Sequence, residues 1–290
     1  MAVEEFLQEV LDNNEIRELM AKEKMIPLDK VSILSIYFGI IVKKGSPGRM
    51  SDDLFNKVLK KHVELFNKKE GMFNKLLVTI NSEFEKKVTS LINDCKLPLS
   101  IEDFKAKTSG IIYHLYEGLK SKNPQQEGII HDKRYIGVSS HLIDLEDPKK
   151  TFKKVKEIVF HENVHAISGK GYLADISKEK VKIWNQKNGL ELSNQNEGRG
   201  IFNALNEGVT QLITEKILGK KTTYYNEQKE DAQKVIEAGV GEDLLFKAYF
   251  ENTEKSRTAL KELITIMNEK FGRKNMINLS KKDILHCQYS

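Results

Sequence analysis

Two histidines four residues apart, with a glutamate directly after the first, stand in the segment IVFHENVHAI (158–167). On an α-helix, positions four apart share a face and lie about 6 Å apart along the axis, so both imidazole rings can reach one metal ion. The two histidines are His161 and His165. Glu162 lies on the same broad face, where its carboxylate can accept a proton from water. The pattern H-E-x-x-H therefore predicts a zinc site that performs hydrolysis.

The motif occurs in a chain that contains only 7 histidines among 290 residues. Random order of this composition would produce H-E-x-x-H roughly 0.02 times. Separate helix signals surround it, since Asp147 and Pro148 are typical of a helix start and Gly169 and Gly171 of a helix end. The alternative interpretation is a helix whose two histidines are only packed or solvated.

A catalytic zinc site of this kind requires a third protein ligand. Ser168 and Gly171 stand where a longer motif would need glycine and a third histidine, and this excludes that class. Cys95 lies in NDCKLPL, which is not the glycine-rich turn that a cysteine ligand would need. An acidic residue from a later helix remains, and the segment ALNEGVTQLITEKILG (204–219) supplies Glu207.

Glu197 is the alternative third ligand, because Asn-Glu-Gly occurs both at 196–198 and at 206–208. Apolar residues at helical spacing surround Glu207 and predict a buried amphipathic helix. Glu197 lies instead in a polar stretch rich in Asn, Gln and Gly. The pattern favours Glu207, with a solvated glutamate at a helix start as the other interpretation of that residue.

Together the two motifs resemble those of the gluzincin metallopeptidases, in which H-E-x-x-H is followed by a helix with the pattern N-E-x-x-[ST]. The resemblance covers roughly residues 147–219. It implies a zinc ion held by two histidines and a glutamate, a general base next to the first histidine, and a peptide or protein substrate. The matching residues are His161, Glu162 and His165 in the first motif and Asn206, Glu207 and Thr210 in the second.

The chain departs from many gluzincins at Gln211, where they have an aspartate that orients a ligand histidine. The sequence leaves the partner of that histidine unassigned, although such partners matter for metal affinity. Hydrolysis also needs a hydrogen-bond donor for the oxyanion, and Tyr224 and Tyr225 are the candidates because they closely follow the second helix. The run YIGV (135–138) resembles the gluzincin edge strand that pairs with an extended substrate, or it is an ordinary core strand.

Composition is that of a globular protein, with 39% hydrophobic and 31% charged residues. The net charge is +5, but the 47 basic residues are scattered among 42 acidic ones, which gives no nucleic-acid footprint. Cys95 and Cys287 form no C-x-x-C pair. The N-terminus does not have the pattern of a signal peptide, and the longest apolar run, at 31–42, is too short to span a bilayer. We expect a cytoplasmic protein, or one released without a signal peptide, with no membrane or nucleic-acid partner.

Hydrophobic periodicity predicts an α+β fold that is mostly helical. The first predicted elements are a long helix from 51 to a stop at 96–98, a helix from 100 to about 120, and a hairpin around 132–133. A helix from 148 to the glycines at 169 and 171 follows, and then a polar stretch to about 199. The last predicted elements are a helix at 201–218 and three or four helices after 225, with breaks near 239 and 272.

Three regions follow from these elements. Residues 1–127 form a largely helical region with a short β segment near 31–42. Residues 128–219 form a zincin core, in which a small sheet packs on the active-site helix. Residues 220–290 form a helical C-terminal lobe. The expected function is that of a zinc-dependent endopeptidase. The alternatives are a zincin fold that binds a partner without turnover, and a metal-free helical interaction protein. The sequence leaves the oligomeric state open.

Overall fold

The computed structural model describes residues 40–43, 46–49, 52–116, 128–131, 133–176, 181–194, 199–252 and 258–281. Within these residues the fold is α+β and mostly helical, with small sheets and a helical C-terminal region, as the sequence predicts. None of the helices described is long and apolar enough to cross a membrane. The β segment expected near 31–42 is described only at its end, where the first strand begins at Ile40.

The first half of the described chain contains two small sheets and one long helix. Its elements are β1 (Ile40–Lys43), β2 (Ser46–Arg49), α1 (Asp52–Asn93), α2 (Ile101–Thr108), β3 (Ile112–Tyr116), β4 (Gly128–His131) and β5 (Tyr135–Ser139). β1 and β2 pair antiparallel. The three-stranded sheet has the order β3-β5-β4. Because parallel neighbours need a long crossover, the short link between β4 and β5 makes them an antiparallel hairpin, which confirms the predicted hairpin.

The helix α2 begins as the sequence predicts but ends early. The side-chain oxygen of Ser100 accepts a hydrogen bond from the Asp103 amide at 3.0 Å and caps the helix. The predicted extension to about residue 120 is wrong, because α2 ends at Thr108 and Gly110 turns the chain with a φ of 81°. The β-branched and aromatic residues that follow favour the strand β3 over a helix.

The second half contains one four-stranded sheet and five helices. Its elements are a 3₁₀ turn (Ser140–Leu142), α3 (Pro148–Ile167), β6 (Lys170–Ile176), β7 (Val181–Asn188), β8 (Glu191–Asn194), β9 (Arg199–Ile201), α4 (Asn203–Leu218), α5 (Asn226–Val235), a π turn (Ile236–Val240), α6 (Glu242–Phe250) and α7 (Thr258–Lys281). The predicted breaks near Gly239 and Gly272 are confirmed, since both residues have a positive φ.

The polar stretch after α3 forms a sheet that the sequence does not predict. β6, β7, β8 and β9 follow one another in an antiparallel meander. The register of the first pair shifts between Leu173 and Ala174, which marks a β-bulge. Strands such as VKIWNQKN are held by backbone pairing and lack the regular apolar alternation that makes a strand visible in a sequence.

The described residues group into two compact units. The first unit comprises the described residues up to Val78 and those within Leu115–Glu127 and Val138–Val155. The second unit comprises those within Thr79–His114, Gly128–Gly137 and Lys156–Ser290. The division of the chain into three regions at 127 and 219 stays a prediction. All the metal-ligand candidates that the structure describes belong to the second unit.

In the first unit, the start of α3 is fixed by polar side chains. The Asp147 carboxylate accepts a hydrogen bond from the Lys150 amide at 2.9 Å, so Asp147 caps the helix and Pro148 occupies its first position, as predicted. The Thr151 hydroxyl donates to the Asp144 carbonyl at 3.0 Å. Val138, Ile143 and Val155 are fully buried in this unit.

In the second unit, the core forms around the later turns of α3. Phe84 of α1 meets Phe160 of α3 edge-on, with ring centroids 5.1 Å apart, and Phe104 of α2 lies 6.2 Å from Phe84. Val159 and Val164 are fully buried on the same helix. This packing holds α3 on its apolar side and leaves its histidine-bearing side to face α4.

Candidate metal centre

α3 presents His161 and His165 from adjacent turns. The apolar neighbours Phe160, Val164 and Ile167 are fully buried and fix the rotation of the helix. With that rotation, the two imidazoles point to the same side and are themselves only 4% and 9% exposed. The ring centroids lie 4.8 Å apart.

α4 supplies the carboxylate that meets these rings. The helix begins after Phe202, which adopts a left-handed φ of 69°, and Glu207 follows in its second turn. Leu205 and Val209 are buried and set the orientation of α4. At Gly208 a Cβ atom would lie 2.0 Å from the carbonyl oxygen of Gln228, so only glycine allows this approach of α5.

Three potential ligand atoms form a nearly equilateral triangle. The Nε2 atoms of His161 and His165 lie 3.1 Å apart, and each lies 3.1 Å from Oε2 of Glu207. Tetrahedral zinc with bonds of about 2.0 Å would place its ligand atoms about 3.3 Å apart. The three side chains can therefore hold a metal ion.

Gln211 orients His161 through its amide. The Gln211 Nε2 group donates a hydrogen bond to Oγ1 of Thr222 at 2.5 Å, which turns Oε1 toward the histidine. Nδ1 of His161 lies 2.9 Å from that Oε1 and donates to it. The donation fixes the tautomer in which Nε2 carries no proton and can bind a metal. Gln211 is thus the partner of His161 that the sequence left unassigned.

The support of His161 continues beyond Thr222. The amide and hydroxyl of Thr222 both donate to Oε1 of Glu215, at 2.7 and 3.2 Å. Lys229 of α5 pairs with the same oxygen at 2.9 Å. Since each donor in this chain of bonds has an acceptor, the Gln211 amide has one preferred orientation.

His165 is supported by Thr210 and Tyr249. Nδ1 of His165 lies 3.4 Å from Oγ1 of Thr210, which donates to the Asn206 carbonyl at 2.8 Å. The hydroxyl of Tyr249 lies 2.7 Å from the same Oγ1. Burial raises the pKa of Tyr249, so its hydroxyl stays protonated. Thr210, which matches the last position of the second motif, therefore contacts a candidate ligand histidine.

Glu162 is buried next to the triangle and lies under the first residue of β4. Glu162 is only 5% exposed to solvent. A Cβ atom on Gly128 would lie 2.5 Å from Oε1 of Glu162 and 2.7 Å from Cγ2 of Ile158. Burial raises the pKa of Glu162 to about 7, with His161 acting against the rise and Glu207 adding to it. A carboxyl with this pKa can both accept and return a proton near neutral pH.

Glu207 has the opposite electrostatic setting. Burial alone would raise its pKa, but positive charge on His165 and the hydrogen bonds that both imidazoles donate when Nε2 carries a proton outweigh burial and hold the pKa well below its usual value. Glu207 is therefore ionised, as a metal ligand must be. The site therefore raises the pKa of the Glu162 carboxyl and lowers that of Glu207. Such a difference is typical of a ligand and a proton acceptor that work together.

A cavity of about 330 Å³ opens beside the triangle. Tyr225 lines it and stacks on His161, with ring centroids 4.4 Å apart and planes 2° from parallel. Tyr224, the other candidate oxyanion donor, does not line this cavity. Tyr225 adopts a left-handed φ of 52° at the start of α5, and this conformation holds its ring against the histidine.

β4 lines the same cavity, whereas the strand proposed from the sequence does not. Gly128, Ile129 and Ile130 are wall residues. In the order β3-β5-β4, the central strand is β5, so of the two interpretations of 135–138 the substrate-pairing edge is wrong and the core strand is confirmed. Both sides of β5 are already paired, and Ile136 and Val138 are fully buried, as in an ordinary core strand. β4 is an edge strand, and so is β6, whose first residue, Lys170, also lines the cavity.

Sequence reasoning missed three charged wall residues, Lys133, Lys170 and Glu191. Lys133 follows β4, and its ammonium donates to the Ser168 and Gly169 carbonyls at 3.1 Å and to Oγ of Ser168 at 2.6 Å. Burial lowers its pKa well below the usual value, and the charge of Lys107 adds to the effect. Burial likewise raises the pKa of Glu191, with Glu207 adding to the rise. No local motif marks any of the three, because the sheet connections bring them to the cavity.

The structure thus joins His161, His165 and Glu207, with Glu162 and Tyr225 beside them. The alternative third ligand, Glu197, lies outside the described residues. Comparison of the chain with protein-family models, with curated proteins and with solved structures finds no match.

Proposed function

We propose that the protein is a zinc-dependent peptidase of the gluzincin type. His161, His165 and Glu207 would hold the ion, and Glu162 would act as general base. The observation that carries the proposal is the 3.1 Å triangle of two imidazole nitrogens and one carboxylate oxygen, with a second carboxyl buried beside it. A metal-binding group without that second carboxyl would support binding alone.

The donor set favours zinc over other common ions. Zinc accepts imidazole nitrogen and carboxylate oxygen in a tetrahedral arrangement, whereas magnesium and calcium prefer six or more oxygens. Three protein ligands leave one position open, and the cavity adjoins the triangle. When bound in such a site, zinc acts as a Lewis acid and makes water a better nucleophile at neutral pH.

Glu162 would move the protons of the reaction. As a carboxylate it can accept a proton from the attacking water, and as an acid it can return that proton to the leaving amine. Its pKa of about 7 suits both steps, and its burial keeps bulk water from competing for the proton. The contact with Gly128 holds the carboxyl in one place.

The cavity wall offers groups for a peptide. The phenol of Tyr225 is a candidate donor to the oxyanion, with Tyr224 as the more distant alternative. β4 is an edge strand at the cavity, and an extended peptide can pair with such an edge through backbone hydrogen bonds. These features support a peptide as substrate, and they would serve equally a zincin that binds a partner without cleaving it.

Zinc content and peptide cleavage, measured on the same preparations of wild type and Glu162→Gln, test the proposal. Glutamine is nearly isosteric but cannot accept the proton, so we expect full zinc content and a loss of turnover of about two orders of magnitude or more. Undiminished cleavage by the variant would reject the assigned base. Zinc binding without cleavage of any peptide by wild type would favour the non-catalytic alternative.

A further inference from the structure

Glu191 is a carboxylate in the cavity wall to which the proposed chemistry gives no task. It begins β8, and it faces the same cavity as Glu207, His165 and Glu162. The charges that act on it are those of Glu207, His165 and Lys133, and no hydrogen bond within the described chain contributes to its electrostatics. A partly buried carboxylate without hydrogen bonds is costly unless a ligand compensates it.

The turn that carries Glu191 is fixed to the helices of the metal centre. The Gly189 amide donates to the Gly169 carbonyl, just after α3, at 2.9 Å. The Leu190 amide donates to Oδ1 of Asn206, next to Glu207, at 2.8 Å. Leu190 is fully buried, which removes the remaining freedom of the turn. Glu191 is therefore held at a set place relative to the proposed ligands.

The cavity cation Lys133 does not neutralise Glu191 by contact. Its ammonium has three protons, and three acceptors on Ser168 and Gly169 take them. The same occupancy leaves Lys133 poorly suited to bind an anionic group of a substrate. Lys170 also lines the cavity, but it is not among the charged groups that act on Glu191, so the Glu191 carboxylate can take a partner from outside.

We propose that Glu191 binds a positively charged group of the peptide substrate beside the metal centre, and so sets a preference for cationic peptides. This inference rests on the proposed peptidase function. The group is an ammonium or guanidinium that donates to the carboxylate, and it comes either from the free N-terminus of the peptide or from a lysine or arginine side chain. Charge-assisted hydrogen bonds of this kind are about twice as strong as neutral ones.

Matched peptides test the inference. The probes are short peptides of shared sequence with a free or an acetylated N-terminus, each with lysine or its uncharged analogue norleucine at one internal position. Wild type, Glu191→Gln and the control Glu262→Gln are compared by kcat/KM, with zinc content checked for each. Glu262 is exposed on α7 and does not line the cavity, so Glu262→Gln removes the same formal charge outside the cavity wall.

We expect wild type and Glu262→Gln to prefer the cationic peptide by about tenfold to a hundredfold, and Glu191→Gln to lose this preference because its kcat/KM falls far more for the cationic peptide than for the neutral one. If acetylation of the peptide abolishes the preference of wild type, the α-ammonium is the group that Glu191 binds. If replacement of lysine by norleucine abolishes it, the lysine side chain is that group. Equal effects of Glu191→Gln on all peptides would overturn the inference and leave the peptidase proposal standing.

Failure of the peptidase proposal has a different signature, namely no cleavage of any peptide by wild type. In that case, calorimetric binding of the same peptides decides the inference. Tighter binding of the cationic peptide that Glu191→Gln abolishes would support it. Binding that is equal for charged and neutral peptides, or absent for both, would overturn it.

Discussion

The substitution Gln211→Leu removes the acceptor that orients His161 and leaves the imidazole ring in place. Leucine is similar in volume to glutamine, so α4 should pack as before. Nδ1 of His161, 2.9 Å from the amide oxygen in wild type, would become a buried donor without its acceptor. The hydroxyl of Thr222 would lose the amide that now donates to it.

The expected loss of zinc affinity follows from these contacts. A buried donor that loses its acceptor costs about 1–3 kcal/mol. At about 1.4 kcal/mol for each factor of ten, this corresponds to roughly fivefold to 150-fold weaker binding if the cost falls on the metal-competent tautomer. The range agrees with the roughly 10–100-fold effect typical of groups that orient metal ligands. Gln211→Glu keeps an acceptor for Nδ1, so it should recover much of the affinity.

Zinc affinity is measured by competition with a chromophoric chelator at constant pH. The matched control is Gln233→Leu, because Gln233 is exposed on α5 and donates only to Glu237, at 3.2 Å. We expect Gln211→Leu to weaken zinc and Gln233→Leu to leave it unchanged. Wild-type affinity in Gln211→Leu would refute the reasoning, as would an equal loss in Gln211→Glu and Gln211→Leu.

Two further substitutions test the surroundings of the site. Gly128→Ala would place a Cβ atom 2.5 Å from the Glu162 carboxylate. We therefore expect the variant to be less stable by about 1–3 kcal/mol in urea unfolding, and to cleave peptide more slowly at unchanged zinc content. Stability and cleavage equal to those of wild type would contradict this contact. Lys107 donates to the Ile167 and Ser168 carbonyls, and burial lowers its pKa from 10.5 to about 8. Between about pH 8 and 10.5 the unfolded chain binds a proton that the folded protein has lost, so stability should rise with pH by at most about 3 kcal/mol, and urea unfolding of Lys107→Met should lack that part of the rise. An identical pH dependence in both forms would exclude the assignment.

Local signals were sufficient for the parts of the site that lie within one element. The caps at Asp147 and Ser100 and the end of α4 at Gly219 follow from a few neighbouring residues, and the structure confirms them. The spacing of His161 and His165 fixes their relative placement once the segment is helical. The meeting with Glu207 was predicted by resemblance, and the structure brings the three groups together.

Features that depend on pairing between distant segments were not predictable from the sequence. The partner of His161 involves Thr222, in the loop after α4, and no local pattern connects the two. Glu191 reaches the cavity because a polar antiparallel sheet forms after α3. The sequence left β5 open as an edge or a core strand, because strand order, and not strand composition, decides which strand is central.

The metal content of the purified protein tests the central claim most directly. Wild type should hold one zinc ion per chain, as its single described ligand group implies, and Glu207→Ala should lose it. Glu191→Ala removes another carboxylate of the same cavity and should retain the ion, as should Glu197→Ala, which removes the alternative third ligand. Full zinc content in a protein that lacks His161, His165 and Glu207 together, or loss of zinc in Glu197→Ala but not in Glu207→Ala, would contradict the account.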